Sequence, residues 1–434
     1  MIKVLKFGGT SVGSAANMKK VAEIVRREQA RITVLSAMSG TTDSLVRISR
    51  AAASGDRNAI EEQLAMLTDK YTRCIEELLR ERKQQALARM NATFGLIRDE
   101  AAAFEEYESE RKIIAQGELL TSAIFTAYLQ ETGLKAECLY SPDFMVKDPG
   151  EKVDTERIGR ALARVAGDDS TFFVAQGFIC SDSQGRIDNL GRGGSDYSAA
   201  LMGAAVEAAE VQIWTDIDGM HNNDPRFVDN TRPIRTMSFD EAAELAYFGA
   251  KILHPATIQP CKDHGIAVLL KNTMDPEAPG TTISNRDDDT KSFPAVAAKD
   301  GITVIRIHSA RMLMAYGFLR KVFEIFEQYR TPIDMITTSE VAVSLTVDND
   351  THIDEIVRDL SALGSIEIER GNSSVCVVGR MEHGDAGLAA RVFECVRGVP
   401  IKMISYGASH RSLAILIDTE HKKRTLQCLN DGLF

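Results

Sequence analysis

Several short stretches of this chain bring glycines, a cation and a carboxylate together in ways that suit anion chemistry. Lys6-Phe-Gly8-Gly9-Thr-Ser-Val-Gly13 sets a lysine at the end of a β-rich run, with glycines in the turn before a helical pattern. Glycine lets the backbone approach a ligand closely, and free N–H groups at a helix start favour an anion. Lysine adds a mobile point charge. The glycine pair alone also reads, more simply, as a tight β–α turn. Gly191-Arg192-Gly193-Gly194-Ser195-Asp196 is more pointed. Arginine offers a planar fork for carboxylate or phosphate, three glycines open the backbone, and an acidic residue starts an alanine-rich helix; capping that helix is the plainer use of Asp196. Trp214-Thr215-Asp216-Ile-Asp-Gly219 ends a strand pattern with two carboxylates, and Asn223-Asp-Pro-Arg226 follows in a loop. Carboxylates at a strand's C-terminal edge beside an arginine suit nucleotide and magnesium handling. Aspartates bonding their own backbone in a turn are the alternative. Phe248-Gly-Ala-Lys251-Ile-Leu-His-Pro255 adds a second lysine at a boundary shaped by Gly249 and Pro255, and Gln116-Gly-Glu118 reads as the start of a helix beginning at Leu119, where capping is again the alternative.

Several other chemistries find no support at the residues they would need. Neither a Gly-x-x-x-x-Gly-Lys-Ser/Thr loop nor a Gly-x-Gly-x-x-Gly turn occurs, no His-Glu-x-x-His pair exists among the eight histidines, and Ser36 sits in no Gly-x-Ser-x-Gly elbow. The seven cysteines are scattered without a Cys-x-x-Cys pair, which predicts reduced thiols in a cytoplasmic protein with no resident metal site. A formal charge of −11 repels nucleic acid and anionic lipid alike. No apolar run approaches the roughly 18 residues a bilayer span needs, and the first residues are too short an apolar stretch for a signal peptide. Charged residues at 26% and hydrophobic ones at 44% place the chain among ordinary globular proteins, long enough for about three folded units.

Strands must position these residues, and the pattern supplies them. Ile2–Phe7, Arg31–Leu35, Thr171–Ala175, Val211–Trp214 and Ile266–Leu270 are β-rich runs. Helical spacing separates them at 17–29, over most of 44–131, and at 195–209 and 239–250. Alternation of this kind predicts βαβ units and a mostly parallel sheet covered on both faces over residues 1–285. Prolines and a charged run at 275–291 then suggest an exposed connector, set at 286–300. Beyond it lies an internal repeat. Gly317-Phe-Leu-Arg-Lys-Val-Phe-Glu-Ile-Phe and Pro332-Ile-Asp-Met-Ile336 recur as Gly387-Leu-Ala-Ala-Arg-Val-Phe-Glu-Cys-Val and Pro400-Ile-Lys-Met-Ile404. Each copy reads strand, helix, strand, strand, a small α/β sandwich that needs its twin to pack against. The copies fall near 301–370 and 371–434, with interleaving left open.

Taken together, Lys6-Phe-Gly-Gly-Thr-Ser, Gly191-Arg-Gly-Gly-Ser-Asp-Tyr197, Phe248-Gly-Ala-Lys-Ile-Leu-His-Pro255 and the connector Asn272-Thr-Met-Asp-Pro-Glu-Ala-Pro-Gly-Thr281 resemble the aspartate kinase family, in its monofunctional, lysine-sensitive form. The likeness covers essentially the whole chain. It implies an amino-acid-kinase fold (an open, mostly parallel sheet with helices on both faces) followed by a regulatory pair of ACT modules, each a ferredoxin-like α/β sandwich. It implies phosphorylation of the side-chain carboxylate of L-aspartate by ATP with Mg²⁺. By motif match, Lys6, Ser36, Thr42, Glu118, Phe178, Arg192, Ser195 and Asp196 surround aspartate, Arg192 holding its α-carboxylate and Glu118 its α-amino group. Lys6, Gly8, Gly9, Thr215, Asp216, His221, Arg226 and Lys251 fall to the nucleotide, and Lys6, Asp196 and Lys251 to catalysis. The family often carries tyrosine where His221 stands. Met312, Tyr316, Gly317, Phe318, Ile333 and Asp334 resemble the elements that cradle a feedback amino acid, lysine ahead of threonine, with Thr337-Thr-Ser-Glu340 as an adjoining latch. The resemblance also implies a homodimer through the ACT modules. Another amino-acid kinase, or a catalytically silent sensor, are the competing readings.

Elementary electrostatics fits this reaction. A carboxylate with an ordinary pKa near 3.9 is already a nucleophile at neutral pH and needs no general base. The obstacle is repulsion: unit charges ~4 Å apart cost about 4 kcal/mol at an effective dielectric near 20. Fixed cations, with Lys6 and Lys251 as candidates beside phosphate-bridging Mg²⁺, have to offset it.

Overall fold

The computed structural model describes the whole chain except residues 149, 151, 169, 192, 250–252, 286–294, 313–315, 380 and 382–385, and the side chains at 166, 311 and 386. The chain divides into two compact units. The first comprises residues 1–220, 235–239 and 253–287, and the second 221–234, 240–252 and 288–434.

In the first unit β1 (Lys3–Phe7), β2 (Ile32–Leu35), β3 (Ala136–Cys138), β5 (Phe172–Gln176), β8 (Glu210–Thr215), β9 (Thr236–Ser238), β10 (Ala267–Asn272) and β11 (Thr281–Ser284) form one sheet in the order β3-β5-β2-β1-β8-β10-β11-β9. Every pairing is parallel except β10 with β11. A small second sheet joins β4 (Val146–Lys147), β6 (Ile179–Asp182) and β7 (Ile187–Asn189). The helices are α1 (Ala15–Glu28), α2 (Thr41–Ser54), α3 (Arg57–Leu78), α4 (Lys83–Ala102), α5 (Glu106–Glu131), α6 (Thr155–Gly167), α7 (Gly194–Ala205) and α9 (Gln259–Asp263). Strands β1 and β2 are almost wholly buried, as a strand covered on both faces must be, and their apolar runs reflect that. The chain passes from β1 to β2 on one side and returns beside β1 as β8 on the other, so connections diverge there. That is where parallel sheets bind ligands, beyond the C-terminal strand ends.

The long helical stretch resolves into α2 to α5. Gly55, in the left-handed region at φ 73°, ends α2, and Asp56 caps α3 by accepting the Ala59 N–H at 3.0 Å. Glu118 does not start a helix. It lies in the middle of α5, because nothing in that run breaks the helix. Gly117 is there for closeness: a Cβ on it would lie 2.8 Å from the Cβ of Ala37.

The second unit contains α8 (Phe239–Tyr247, from residue 240), β12 (Ala295–His308), α10 (Phe318–Gln328), β13 (Ile336–Thr338), β14 (Ala342–Val347), α11 (Ile353–Leu360), β15 (Ser365–Val378), α12 (Ala386–Cys395), β16 (Met403–Tyr406), β17 (Ser412–Asp418) and α13 (Lys422–Leu433). Its antiparallel sheet runs β13-β14-β12-β15-β17-β16. The two 14-residue strands β12 and β15 serve both copies of the repeat. The later half of β12 and the early half of β15 pair within copy 1, while Ala295–Asp300 pairs with Ser373–Val378 and completes copy 2. The copies therefore interleave, and each has a fourth strand and a second helix beyond the expected strand-helix-strand-strand. Residues 295–300, expected as connector, are strand. The prolines and charges that suggested a connector stop short of Ala295-Val-Ala, whose side chains are buried.

Among the described residues no helix is long and apolar enough to cross a membrane, and no group of three His, Cys, Asp or Glu side chains could hold a metal ion.

Candidate active site

A cavity of about 270 Å³ opens beyond the C-terminal ends of β1 and β2, lined by Lys6, Ser36, Thr42, Glu118, Phe178, Gly191, Gly193, Gly194, Ser195 and Asp196. Seven of the eight residues expected around aspartate line it; the eighth, Arg192, lies outside the described residues.

Lys6, on β1, is buried, and its Nζ stands 2.7 Å from Asp196 Oδ1. The contact is an ion pair off the line of a hydrogen bond, since that oxygen has no aligned hydrogen-bond partner. Asp196 is in the first turn of α7 and does not cap it; the N-cap is Gly193, left-handed at φ 71°. Ser36, one residue past β2, donates to Ser195 Oγ at 3.0 Å. This meeting needs Gly177, where a Cβ would sit 2.6 Å from that of Ser195. Gly9 likewise admits the second loop, for its Cβ would lie 2.8 Å from the Ala37 carbonyl. Phe178 adopts φ 66°, a conformation costing a non-glycine residue about 1–3 kcal/mol. Ser198 Oγ, accepting the Phe178 N–H at 3.0 Å, helps hold it.

Glu118 is 3% exposed. Its Oε1 accepts the Ala37 N–H at 3.2 Å, and its Oε2 is buried without a hydrogen-bond partner among the described residues. Burial pushes its carboxyl up to about 7. A buried carboxylate oxygen left unmatched is costly, and a cationic ligand group would relieve it.

Residues missed from the sequence brace this loop. The Tyr71 hydroxyl lies 3.2 Å from Thr41 Oγ1 and 3.3 Å from Thr121 Oγ1, and Thr121 accepts the Met38 N–H at 3.2 Å. Lys70 Nζ contacts the Ser39 carbonyl. Tyr71 shares a buried face with Leu64, Leu67, Ile75 and Leu78, so in sequence it looks like ordinary helix core.

The nucleotide candidates are more scattered. Gly8 donates to the Trp214 carbonyl at 3.3 Å. Thr215 ends β8 and accepts the Ile217 N–H at 3.2 Å, with Asp216 exposed beside it. His221 and Arg226 belong to the second unit. There His221 Nδ1 meets Thr231 Oγ1 at 3.1 Å, and Arg226 grips Asp224 with both Nε (2.9 Å) and Nη2 (2.6 Å). Lys251 lies outside the described residues.

In copy 1 of the second unit, Tyr316 is fully exposed, Gly317 is the left-handed N-cap of α10, and Met312 and Ile333 pack partly buried against a core that includes Phe318. Asp334 Oδ1 accepts the Tyr247 hydroxyl at 2.7 Å, with Lys299 Nζ 3.9 Å away, while Oδ2 is buried without a hydrogen-bond partner among the described residues. Burial raises the Asp334 carboxyl above its ordinary value.

Residues 1–272 match the family model described as Amino acid kinase family, and residues 375–433 match that of the ACT domain. Lysine-sensitive aspartokinase 3 of Escherichia coli (strain K12) is 34% identical across 100% of this chain and 99% of its own length. The chain belongs to the aspartokinase family. Among solved structures, E. coli aspartokinase III in complex with aspartate and ADP (R-state) superposes with a TM-score of 0.87 at 33% identity, each chain covered in full. The same enzyme with lysine and aspartate (T-state) gives 0.84 at 33% identity, covering 100% of this chain and 99% of that one. This aspartokinase is therefore a kinase of amino-acid biosynthesis with an amino-acid-kinase fold and ACT regulatory domains.

Proposed function

We propose that this aspartokinase transfers the γ-phosphoryl group of ATP to the side-chain carboxylate of L-aspartate, giving 4-phospho-L-aspartate on the route to lysine, threonine and methionine. The observation that carries this reading is the 270 Å³ cavity, where a buried cation at one wall faces an unmatched carboxylate oxygen at another. A zwitterionic amino acid needs both. Glu118 Oε2 accepts the α-ammonium, Arg192 takes the α-carboxylate, and the Ser36–Ser195 pair and Thr42 fix the remaining orientation. Lys6 then stands where negative charge gathers as the two anions meet, and Asp196 orients it. Phe178, Gly193 and Gly194 shape the wall and exclude water.

On the nucleotide side, Gly8, Gly9, Thr215, Asp216, His221, Arg226 and Lys251 carry their roles from the family resemblance. Mg²⁺ suits a site of this kind because it travels on the phosphates with one or two protein carboxylates, without a dedicated protein cage. Bound there, it would supply charge neutralisation for the phosphates.

The ACT region takes a feedback amino acid, lysine ahead of threonine, at Asp334, whose Oδ2 suits an ammonium as Glu118 Oε2 does. A cytoplasmic homodimer through the ACT region belongs to the same reading, supported by exposed Ile336, Ile368, Ile404 and Tyr406 on the antiparallel sheet of the second unit. The test is ADP release from ATP, Mg²⁺ and L-aspartate, with the acyl phosphate trapped by hydroxylamine and with lysine and threonine titrated in parallel. Activity on glutamate but not aspartate would sink the substrate. Lysine binding without ADP release would instead make the chain a sensor.

A further inference from the structure

The two repeat copies place a charged triad at equivalent positions, with two of the three signs exchanged. Asp334 and Lys402 occupy the same place in Pro332-Ile-Asp-Met-Ile336 and Pro400-Ile-Lys-Met-Ile404. The backbone agrees: the Asp334 N–H donates to Thr346 at 2.9 Å, and the Lys402 N–H donates to Leu416 at 2.8 Å. Thr346 thus matches Leu416, and two residues on, Asp348 matches Asp418. Thr346 pairs with Val304 in β12, and Leu416 pairs with Ser374 in β15. Across the long strands Val304 faces Glu369, and Ser374 faces Lys299. Glu369 is therefore the counterpart of Lys299. Copy 1 carries Asp334, Lys299 and Asp348; copy 2 carries Lys402, Glu369 and Asp418.

The consequences differ. In copy 1 the Lys299 ammonium sits 2.6 Å from Asp348 and 3.9 Å from Asp334 Oδ1, leaving Asp334 Oδ2 buried and unmatched. In copy 2 the Lys402 ammonium meets Glu369, Asp418 and, at 2.8 Å, Asn372 Oδ1. An ammonium has three N–H donors, and here each has an acceptor. Arg306, 2.6 Å from Glu369, is the other cation facing the cluster.

We propose that Lys402 is a built-in ligand: its ammonium fills, in copy 2, the place that an incoming ammonium takes beside Asp334 in copy 1. The chain then offers an external amino acid one such site, and removing the Lys402 ammonium opens copy 2 to a small primary ammonium ion. The single-site count rests on the effector reading of Asp334; the Lys402 site stands without it.

Lys402→Ala deletes the equivalent of n-propylammonium. In the full-length variant, millimolar n-propylammonium chloride is expected to raise the unfolding transition of the regulatory unit by about 5 °C over equal sodium chloride, the scale of restoring a partly buried ion pair. The wild type is expected not to respond. Equal effects of the two salts on the variant would overturn the assignment. If the alanine variant does not fold, Lys402→Met keeps the stem without the charge. It is expected to unfold about 5 °C below wild type with no response to n-propylammonium; wild-type stability in that variant would overturn the proposal, because the ammonium would hold nothing. Calorimetry of lysine on the wild type is expected to count one site per chain. Two would refute the plug, whereas no lysine heat at all would refute the effector reading and leave Lys402 to the n-propylammonium result.

Discussion

Glu118 in the catalytic unit and Asp334 in the regulatory unit present the same device in different settings. Each has one oxygen bonded and the other buried without a partner. Glu118 is fixed in the middle of a 26-residue helix, and its carboxylate accepts the backbone N–H of Ala37. Lys6 gives its charge to Asp196 instead. Burial is the largest influence on Glu118, opposed by backbone N–H groups alone. Asp334 lies in the irregular segment between α10 and β13, where Tyr247 and Lys299 offset part of the burial. Tyr247 ends α8, and Phe248-Gly-Ala-Lys251 follows directly in the chain. Glu118 is thus carried by the middle of a long helix, whereas Asp334 is bonded through Tyr247 to the end of α8.

The comparison can be broken at either end. The largest effect is expected from Lys6→Ala, which should lose about 10³-fold or more in kcat while circular dichroism shows the fold intact; near-normal turnover would remove Lys6 from the mechanism. Glu118→Gln keeps the shape but takes away the anion, and should raise the KM for aspartate about 100-fold with kcat changed far less, since a charged hydrogen bond contributes about 1.5–3 kcal/mol. An unchanged KM would show that the unmatched oxygen does not hold substrate.

The pH dependence sharpens the same point. With Glu118 pushed up to about 7, the ammonium-binding anion is present above that pH and lost below it. Aspartate KM should therefore rise about tenfold per unit as pH falls below 7, and the slope should vanish in Glu118→Gln. For stability the sign is opposite. A carboxyl whose folded pKa is raised keeps its proton where the unfolded chain has lost it, so this group costs stability as pH climbs from about 4.5 toward 7. The smallest effect concerns the regulatory side. Tyr247→Phe removes the donor that orients Asp334, about 1 kcal/mol, so half-inhibition by lysine should need about fivefold more ligand. Basal kcat/KM should stay within about twofold. Unaltered lysine sensitivity would detach α8 from the effector site.

What was legible in the sequence was local. Short β-rich runs and helical spacing marked the strands and helices, and the glycine-rich motifs stood out because only glycine admits the close approaches at Gly9 and the left-handed turn at Gly193. The repeat was visible through its paired glycine and proline anchors. Misreadings arose where meaning depended on distant partners. Glu118 looked like a helix start because Gly117 resembles a boundary, yet that glycine answers to Ala37, and Glu118 bonds a residue 81 positions away. Tyr71 carried no mark of its role because a buried helix stripe looks alike whether or not it ends in a hydroxyl bridge. Residues 295–300 looked like connector because their partner strand comes more than one repeat length later.

The sequence by itself determined the family of motifs, the parallel sheet and the duplicated regulatory module, since these follow from side-chain chemistry and spacing within a few turns of chain. Only the tertiary structure decided which charges meet. Lys6 with Asp196, Glu118 with no charged partner among the described residues, Asp334 half-matched and Lys402 fully matched differ in burial and in neighbours brought from far along the chain, and those two quantities set the strength of every charge in a low-dielectric interior.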